Sequence, residues 1–303
     1  MKPHISAVIS AYNEEQNLGR CLSSVSWADE IVVIDNSSSD KTVEIARKFT
    51  KNVYTRENHL MLNINKNFGF EKAQGPWILN LDADEVVTPE LGKEMALRVS
   101  DPSNQQGYWI ERKNIIFGTW IQHGLWWPDK QLRLFKKNKG KFPCQNIHEY
   151  IHVDGPVGEL TEPMLHYNYT TISEYLQTID RCSKSEALLL KDSAYKIHWT
   201  DAVRFPVSDF IKIFFAQKAY KDGLHGLVLS IFQAFYSFVT FARLWEDAHF
   251  VEEHPTLEEV AKEASCRWKE MQFWSFSALI EKYHTHPLKQ LFFRLKRKLY
   301  FLL

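Results

Sequence analysis

The chain is poor in cysteine, and Cys21, Cys144, Cys182 and Cys266 stand far apart with no CxxC spacing. That argues against a zinc knuckle or a CxxC redox motif and leaves buried or incidental thiols. Neither sign of charge is in excess, with 37 basic and 37 acidic residues and a pI near 7.2. No global field draws such a chain to nucleic acid, so any attraction to an anionic surface must be local. Internal repeats and low-complexity tracts are absent, and collagenous and disordered classes are excluded. The opening Met1-Lys2-Pro3-His4-Ile5-Ser6 runs into a strand-like segment without the long apolar stretch and cleavage site of a signal peptide. The catalytic part is therefore expected in the cytoplasm.

What is present is a 45% hydrophobic content over 303 residues, enough for one large domain or a domain with a sizeable appendage. The most informative stretch is Trp77-Ile78-Leu79-Asn80-Leu81-Asp82-Ala83-Asp84-Glu85, an apolar run of strand length that stops at a carboxylate pair. In a parallel α/β sheet, ligands sit beyond the carboxyl ends of the strands. Two aspartates of an Asp-x-Asp pair there can share a hard divalent cation that bridges diphosphate oxygens. The same residues also read as a solvated acidic turn.

Upstream, Ile5 to Ala11 reads as a strand, followed by Tyr12-Asn13-Glu14-Glu15 and by Leu18, Cys21, Leu22 and Val25 at helical spacing. Ile31 to Ile34 is a second buried strand ending at Asp35, and Asp40 is placed to cap a helix beginning near Lys41. Val53-Tyr54 is a short strand, and Asn63 to Ala73 a helix closed by Gly75-Pro76. Strands alternating with helices imply right-handed βαβ units and a mostly parallel sheet. Asp35 and Asp82 then end two strands on the same edge.

After a helix following Pro89 the pattern changes. Strands are expected at residues 107–110, 115–117 and 132–135, separated by Gly, Pro and basic turns. Between them Trp120, Trp126 and Trp127 form an aromatic segment, suited to stacking on a sugar ring and equally to a core. His148-Glu149 lacks the HExxH arrangement of a zinc protease. Glu149 can act as a general base, or the pair can be a satisfied surface feature.

Residues 173–191 read as a helix. The uncharged stretch from Gly223 to Ala242 is long enough to span a bilayer. Its Ser230, Gln233, Ser237 and Thr240 recur at three- and four-residue spacing, a polar stripe better suited to an interfacial or packed helix. The tail from Lys289 to Leu303 holds five basic residues and no acidic one, which attracts an anionic membrane surface unless the tail folds back on the domain.

The ordered set of segments resembles the inverting family 2 glycosyltransferases of GT-A fold. The segments are ISAVISAYNEE from Ile5, IVVIDNSSSDKT from Ile31, KNFGFEKAQG from Lys66 and ILNLDADE from Ile78. PDKQLRLF from Pro128, IHEY from Ile147 and the apolar stretch from Leu224 extend the likeness to bacterial lipopolysaccharide core β-1,4-glucosyltransferases. The resemblance implies an α/β catalytic domain over residues 1–170, with a donor half to about residue 100 and an acceptor half beyond it. A helical membrane-associated region follows over 171–303. It implies that Ala11, Tyr12, Asn13, Glu14 and Asp35 hold the uracil and ribose of a UDP-sugar, with UDP-glucose expected. Lys66 approaches the nucleotide, Asp82 meets the ribose or the metal shell, and Asp84 binds Mg²⁺ or Mn²⁺. Asp35-Asn36 departs from the two acidic residues many relatives carry there. Glu149 is the expected base with Asp129 as the alternative, while Trp126, Trp127, Gln131, Arg133 and His148 position acceptor or phosphate. The acceptor implied is a lipid-linked glycan at the cytoplasmic face of the inner membrane, with the protein peripheral or monotopic. A polyprenyl-phosphate sugar transferase, a nucleotidyltransferase and a non-catalytic assembly module remain alternatives, separable by their products.

Overall fold

A computed structural model of the chain describes residues 5–59, 61–101, 103–145, 149–193 and 195–302. The chain divides into two compact units, one comprising Met1–Ile116 with Pro128–Asn168 and the other Phe117–Trp127 with Tyr169–Leu303. The aromatic segment around Trp126, expected in the acceptor half, therefore belongs with the helical unit.

In the first unit, β1 (Ile5–Ala11), β2 (Glu30–Asp35), β3 (Val53–Thr55) and β4 (Trp77–Asp82) alternate with α1 (Leu18–Ser24), α2 (Thr42–Arg47) and α3 (Asn63–Lys72). Next come β5 (Glu85–Val86), α4 (Pro89–Ser100) and β6 (Gly107–Ile116), and β7 (Thr119–Trp120) lies in the second unit. The later strands are β8 (Lys130–Lys136), β9 (Gly140–Lys141), β10 (His152–Val153), β11 (Val157–Glu159) and β12 (Met164–Tyr169).

The sheet runs β3-β2-β1-β4-β8-β6-β12-β5, with β11 also beside β6. The pairings from β3 to β4 are parallel, and β8 is antiparallel to both β4 and β6. This is a GT-A-like α/β domain, and its apolar strands are sandwiched because both faces are covered. Ile9, Leu79, Leu22 and Leu91 join one core cluster, and Val8, Ile34, Phe70 and Phe135 the other. Gly69 lets α3 approach closely, since a Cβ there would lie 2.6 Å from Val8 Cγ1 and 2.9 Å from Ile34 Cγ1. That contact seats Lys66, one turn earlier on α3, against the end of β4.

Two local expectations shift. Residues 107–117 form one strand and a turn, not two strands, with the chain reversing at Phe117, whose φ is +51°. Arg112 and Asn114, polar residues that suggested an interruption, remain in the strand because carboxylates across the sheet pair with them. Asp40 accepts from the Thr42 N–H at 2.9 Å, and α2 begins one residue later than its sequence suggested.

The second unit is helical: α5 (Ile172–Asp192), α6 (Asp201–Phe210), a π-helical turn (Ile211–Ala216), α7 (Gly223–Asp247), α8 (Leu257–Lys282) and α9 (Pro287–Leu302). Thr171 with Glu174, and Thr256 with Glu259, form reciprocal capping boxes that fix the starts of α5 and α8. The polar stripe of α7 faces inward, since Ser230, Ser237 and Thr240 are buried beside Leu229 and Leu244. Its opposite face leaves Leu224, Ile231, Phe235, Phe238 and Trp245 exposed. The apolar helix extends to Asp247, past the expected end at Ala242, because Leu244 is still packed. By length and composition alone, Ala219–Asp247 could cross a membrane.

Candidate active site

Ala11 pairs in register with Asp35, and the preceding Ser10 with Asp82, so the three strands end together. The chain moves outward from β1 to β2 and β3, then returns to β4 on the other side of β1. The gap between β1 and β4 is therefore the switch point where an α/β sheet opens a crevice at its carboxyl edge.

The loops after β1 and β2 are sewn together at this edge. Asn13 N–H donates to Ser38 Oγ at 2.9 Å, Ser39 N–H donates to Asn13 Oδ1 at 2.9 Å, and Glu14 N–H donates to Thr42 Oγ1 at 2.7 Å. Asn13 and Ser37 adopt φ values of +53° and +61°, the left-handed turns that fold both loops over the edge. Asp35 is buried and accepts from the Ser38 N–H at 3.2 Å. Asn36 has an amide role in place of a second carboxylate, donating to Ser10 Oγ and Ala11 O at 3.0 and 2.9 Å. Asn65 in turn donates to Asn36 Oδ1 at 2.6 Å. Tyr12 projects into solvent from the same loop.

Glu14 is an unusual carboxylate here. Burial, reinforced by the charges of Asp84, Asp82 and Asp40, pushes its pKa up to about 7 despite a hydrogen bond from Asn17.

Beyond β4, opposite charges interlock. Lys66 Nζ lies 2.5 Å from Asp82 Oδ1 and Arg133 Nη2 lies 2.6 Å from Asp82 Oδ2. Arg133 Nη2 also lies 2.6 Å from Oε1 of the fully buried Glu85, which Arg112 Nη1 approaches at 3.2 Å. The other Glu85 oxygen accepts from the Asp82 N–H at 2.9 Å. Burial alone would raise the Asp82 pKa, but Arg133 and Lys66 outweigh it and hold the carboxyl well below its ordinary range. Arg133, buried between two carboxylates, is held firmly protonated.

Asp84 differs from Asp82. Its Oδ2 lies 3.2 Å from His166 Nε2, and its Oδ1 is buried with no hydrogen-bond partner. His166 Nδ1 lies 2.6 Å from Asn114 Oδ1, which fixes the ring. An orphaned carboxylate oxygen beside an imidazole nitrogen is a donor set suited to a divalent cation such as Mn²⁺. Among the described residues no group of three His, Cys, Asp or Glu side chains converges for a metal.

A cavity of about 310 Å³ opens beside this network, lined by Asn63, Lys66, Asp82, Arg112, Gln131, Leu132, Arg133, Phe142, Glu149, Tyr150 and Ile151. Glu149 Oε1 accepts from Cys144 N–H at 2.6 Å and from Asn63 Nδ2 at 3.1 Å, and its Oε2 accepts from Gln145 N–H at 3.0 Å. Asp129 is absent from the lining. Arg112 contacts it at 2.8 Å, and Asn114 and Gln131 donate to it at 3.0 Å each. Its pKa is lowered, as Arg112 and these hydrogen bonds outweigh burial.

The structure thus brings Lys66, Asp82, Gln131, Arg133 and Glu149 to one cavity. Trp126 and Trp127 belong to the second unit, where Trp127 meets Trp120 edge to face at 5.5 Å. His148 lies outside the described residues. Sequence reasoning missed Glu85, Arg112 and His166 as site residues. Glu85 was visible in the ILNLDADE segment, while Arg112 and His166 are joined to the site only through strand pairing.

Such an edge, with paired loops above a parallel sheet and carboxylates at its switch point, is where an open α/β sheet places its ligand site. Residues 6–154 match the family described as Glycosyl transferase family 2, so the chain carries a glycosyltransferase family 2 domain. It is similar to the lipopolysaccharide core biosynthesis glycosyltransferase LpsC of Rhizobium meliloti, at 24% identity over 261 residues, covering 84% of this chain and 96% of that protein. An uncharacterized glycosyltransferase of Rickettsia bellii is 29% identical over 260 residues, covering 80% and 86% respectively. Among solved structures, TarS 1–349 of Staphylococcus aureus in complex with UDP-GlcNAc aligns with 96% of this chain and 89% of that chain, at 15% identity and a TM-score of 0.44.

Proposed function

We propose that this chain is an inverting glycosyltransferase that moves glucose from UDP-glucose to a hydroxyl of a lipid-linked bacterial surface glycan such as lipopolysaccharide core. The observation that carries the reading is the cavity in which Lys66, Asp82, Arg133 and Glu149 face one space beside the carboxyl edge of β4. The likeness to LpsC, named for lipopolysaccharide core biosynthesis, supports the acceptor class.

In this reading the loop from Ala11 to Glu14 and Asp35 hold the nucleoside. Lys66 and Arg133 offer positive charge to the diphosphate, and Asp82 keeps both cations in place between turnovers. Asp84, with His166 beside it, would hold Mg²⁺ or Mn²⁺. When bound, that ion stabilises the charge that develops on the departing diphosphate. The acceptor oxygen attacks the anomeric carbon as the bond to the UDP oxygen breaks on the opposite face, and the hydroxyl proton passes to Glu149. One displacement turns an α-linked donor into a β-glycoside. Glu149 is preferred over Asp129 because it lines the cavity, from which Asp129 is absent.

The acceptor's lipid implies work at the cytoplasmic face of the inner membrane, with the protein peripheral or monotopic. The geometry of α9 supports this. Gln290, Phe293, Arg297 and Tyr300 turn toward α8, with Phe293 stacked on Tyr283, the residue after α8, at 5.7 Å and Arg297 donating to Ser277 Oγ at 3.0 Å. The other side exposes Leu288, Leu291, Phe292, Leu295 and Leu299, spaced as one helical stripe, between exposed Lys289, Arg294, Lys296 and Lys298. An apolar stripe flanked by cations suits a helix lying in an anionic bilayer surface.

The test is a donor screen scored by UDP release, with lipid-linked glycans extracted from the source organism and mass spectrometry of the product. Expected is a sugar added to a glycan hydroxyl, lost in Asp84→Ala with the fold intact. A sugar joined through phosphate would identify a polyprenyl-phosphate transferase instead, and pyrophosphate release a nucleotidyltransferase. UDP binding without turnover would leave an assembly module.

A further inference from the structure

We propose that a shallow cleft formed by Trp109, Tyr150, Pro128, Lys130 and Glu159 binds a neutral pyranose ring of the acceptor glycan; the proposal rests on the glycosyltransferase reading of the adjoining cavity. The cleft has a volume of about 420 Å³ and lies wholly within the first unit. Tyr150 lines both this cleft and the 310 Å³ cavity, so the two spaces adjoin at one side chain. Glu149, the proposed base, is the preceding residue. A ring held in the cleft therefore lies against the residue next in sequence to the group that would take its proton.

The strands build this cleft. Trp109 and Glu159 are register partners in the parallel pairing of β6 with β11, so their side chains emerge on the same face of the sheet. The β6–β8 register shifts between Tyr108 and Trp109, an irregularity of the kind that re-aims a side chain next to a site. Lys130, at the start of β8, closes the rim through a 2.7 Å ion pair with Glu159.

The chemistry matches a sugar on both of its surfaces. Trp109 and Tyr150 meet at 5.8 Å with their planes 64° apart, giving a corner of two aromatic faces. Tyr150 remains 59% exposed, an apolar ring left in water. A pyranose offers a patch of axial C–H groups to such rings and equatorial hydroxyls around its edge. The Lys130 ammonium donates to those hydroxyls and the Glu159 carboxylate accepts from them. Both rim groups are largely solvated, so exchanging their mutual contact for a hydroxyl costs little. The two charges cancel, which selects a neutral ring over a phosphorylated or carboxylated one.

The experiment uses the full chain saturated with UDP and titrated with the methyl β-pyranosides of glucose, galactose and mannose. Saturation-transfer difference NMR reads contact at the ring C–H protons, and calorimetry reads the UDP Kd separately. Expected is saturation of the C–H protons of at least one pyranoside. Affinity should fall about three- to tenfold in Trp109→Phe and in Glu159→Gln. Trp109 packs partly against the core, so circular dichroism checks its fold, while Glu159 is exposed and carries the test if Trp109→Phe fails to fold. UDP binding with no pyranoside contact, or contact indifferent to Glu159→Gln and to a folded Trp109→Phe, overturns the cleft alone. Failure to bind UDP overturns the parent reading instead, and the pyranoside arm still decides the cleft.

Discussion

Replacing Arg133 with methionine isolates the energetics of the buried charge network. The substitution keeps most of the side-chain volume but removes the cation between Asp82 and Glu85. Removing one partner of a buried ion pair leaves the other charge uncompensated and costs about 3–5 kcal/mol. Here the loss is smaller. Asp82 is a third exposed and keeps Lys66, so water and the lysine screen it. Glu85 is fully buried but keeps Arg112 at 3.2 Å and the Asp82 N–H. The expected destabilisation is therefore about 2–4 kcal/mol at pH 7. Urea denaturation of the full chain, followed by tryptophan fluorescence, reads it. The pH dependence has a definite sign. The folded pKa of Asp82 is depressed, so its contribution is present above the unfolded value and lost as pH falls through the folded one. In Arg133→Met that pKa rises, and the acid side of the stability curve moves to higher pH. Adding Glu85→Gln should recover part of the loss, because the buried group that lost one of its two cations is then neutral. A loss below about 1 kcal/mol, or no recovery in the double variant, would refute the account of Glu85 as a buried anion held by two arginines.

Other perturbations test other parts of the molecule. Glu149→Gln should lower kcat by about a hundredfold or more with the UDP-sugar KM changed little, whereas Asp129→Asn should mainly loosen Arg112; the reverse pattern in steady-state kinetics would move the base to Asp129. Glu14 has a raised folded pKa of about 7, so its ionisation removes stability as pH climbs from its ordinary value of 4.5 toward 7. Glu14→Gln should flatten that decline in a pH series of melting temperatures, and an unchanged slope would contradict it. Changing Lys289, Arg294, Lys296 and Lys298 to glutamate should abolish co-sedimentation with phosphatidylcholine vesicles containing about one-third phosphatidylglycerol, each lost cation being worth roughly 1 kcal/mol. Binding that survives both this change and added salt would rule out α9 as the contact.

The parallel half of the sheet was legible because its information is local. β1, β2 and β4 are short apolar runs that end in Ala11, Asp35 and Asp82, and a parallel sheet aligns such ends without further instruction. The charge network beyond β4 depends on pairings between distant residues. Glu85, Arg112 and Arg133 meet only because β6, β8 and the end of β4 share one sheet, and no spacing along the chain encodes that. The polar Arg112 and Asn114 made β6 look interrupted, since their counter-charges come from other strands. The tryptophans near residue 126 misdirected the reading for a related reason: composition marks a segment as aromatic but does not say which unit it packs with. On α7 the periodicity did carry the answer, as the Ser230, Ser237 and Thr240 stripe is the buried one.

The four thiols stand at graded depth. Cys21 is sealed beneath Asp82, its Sγ 3.6 Å from the Asp82 carbonyl, and burial holds its thiol protonated. Cys144 and Cys182 are half-buried, and Cys266 is exposed on α8. A maleimide reagent should therefore react first at Cys266, on the helix that carries α9. The native chain thus offers a labelling position for an environment-sensitive fluorophore, one that reports on the α8–α9 hairpin and leaves the carboxylates beyond β4 untouched.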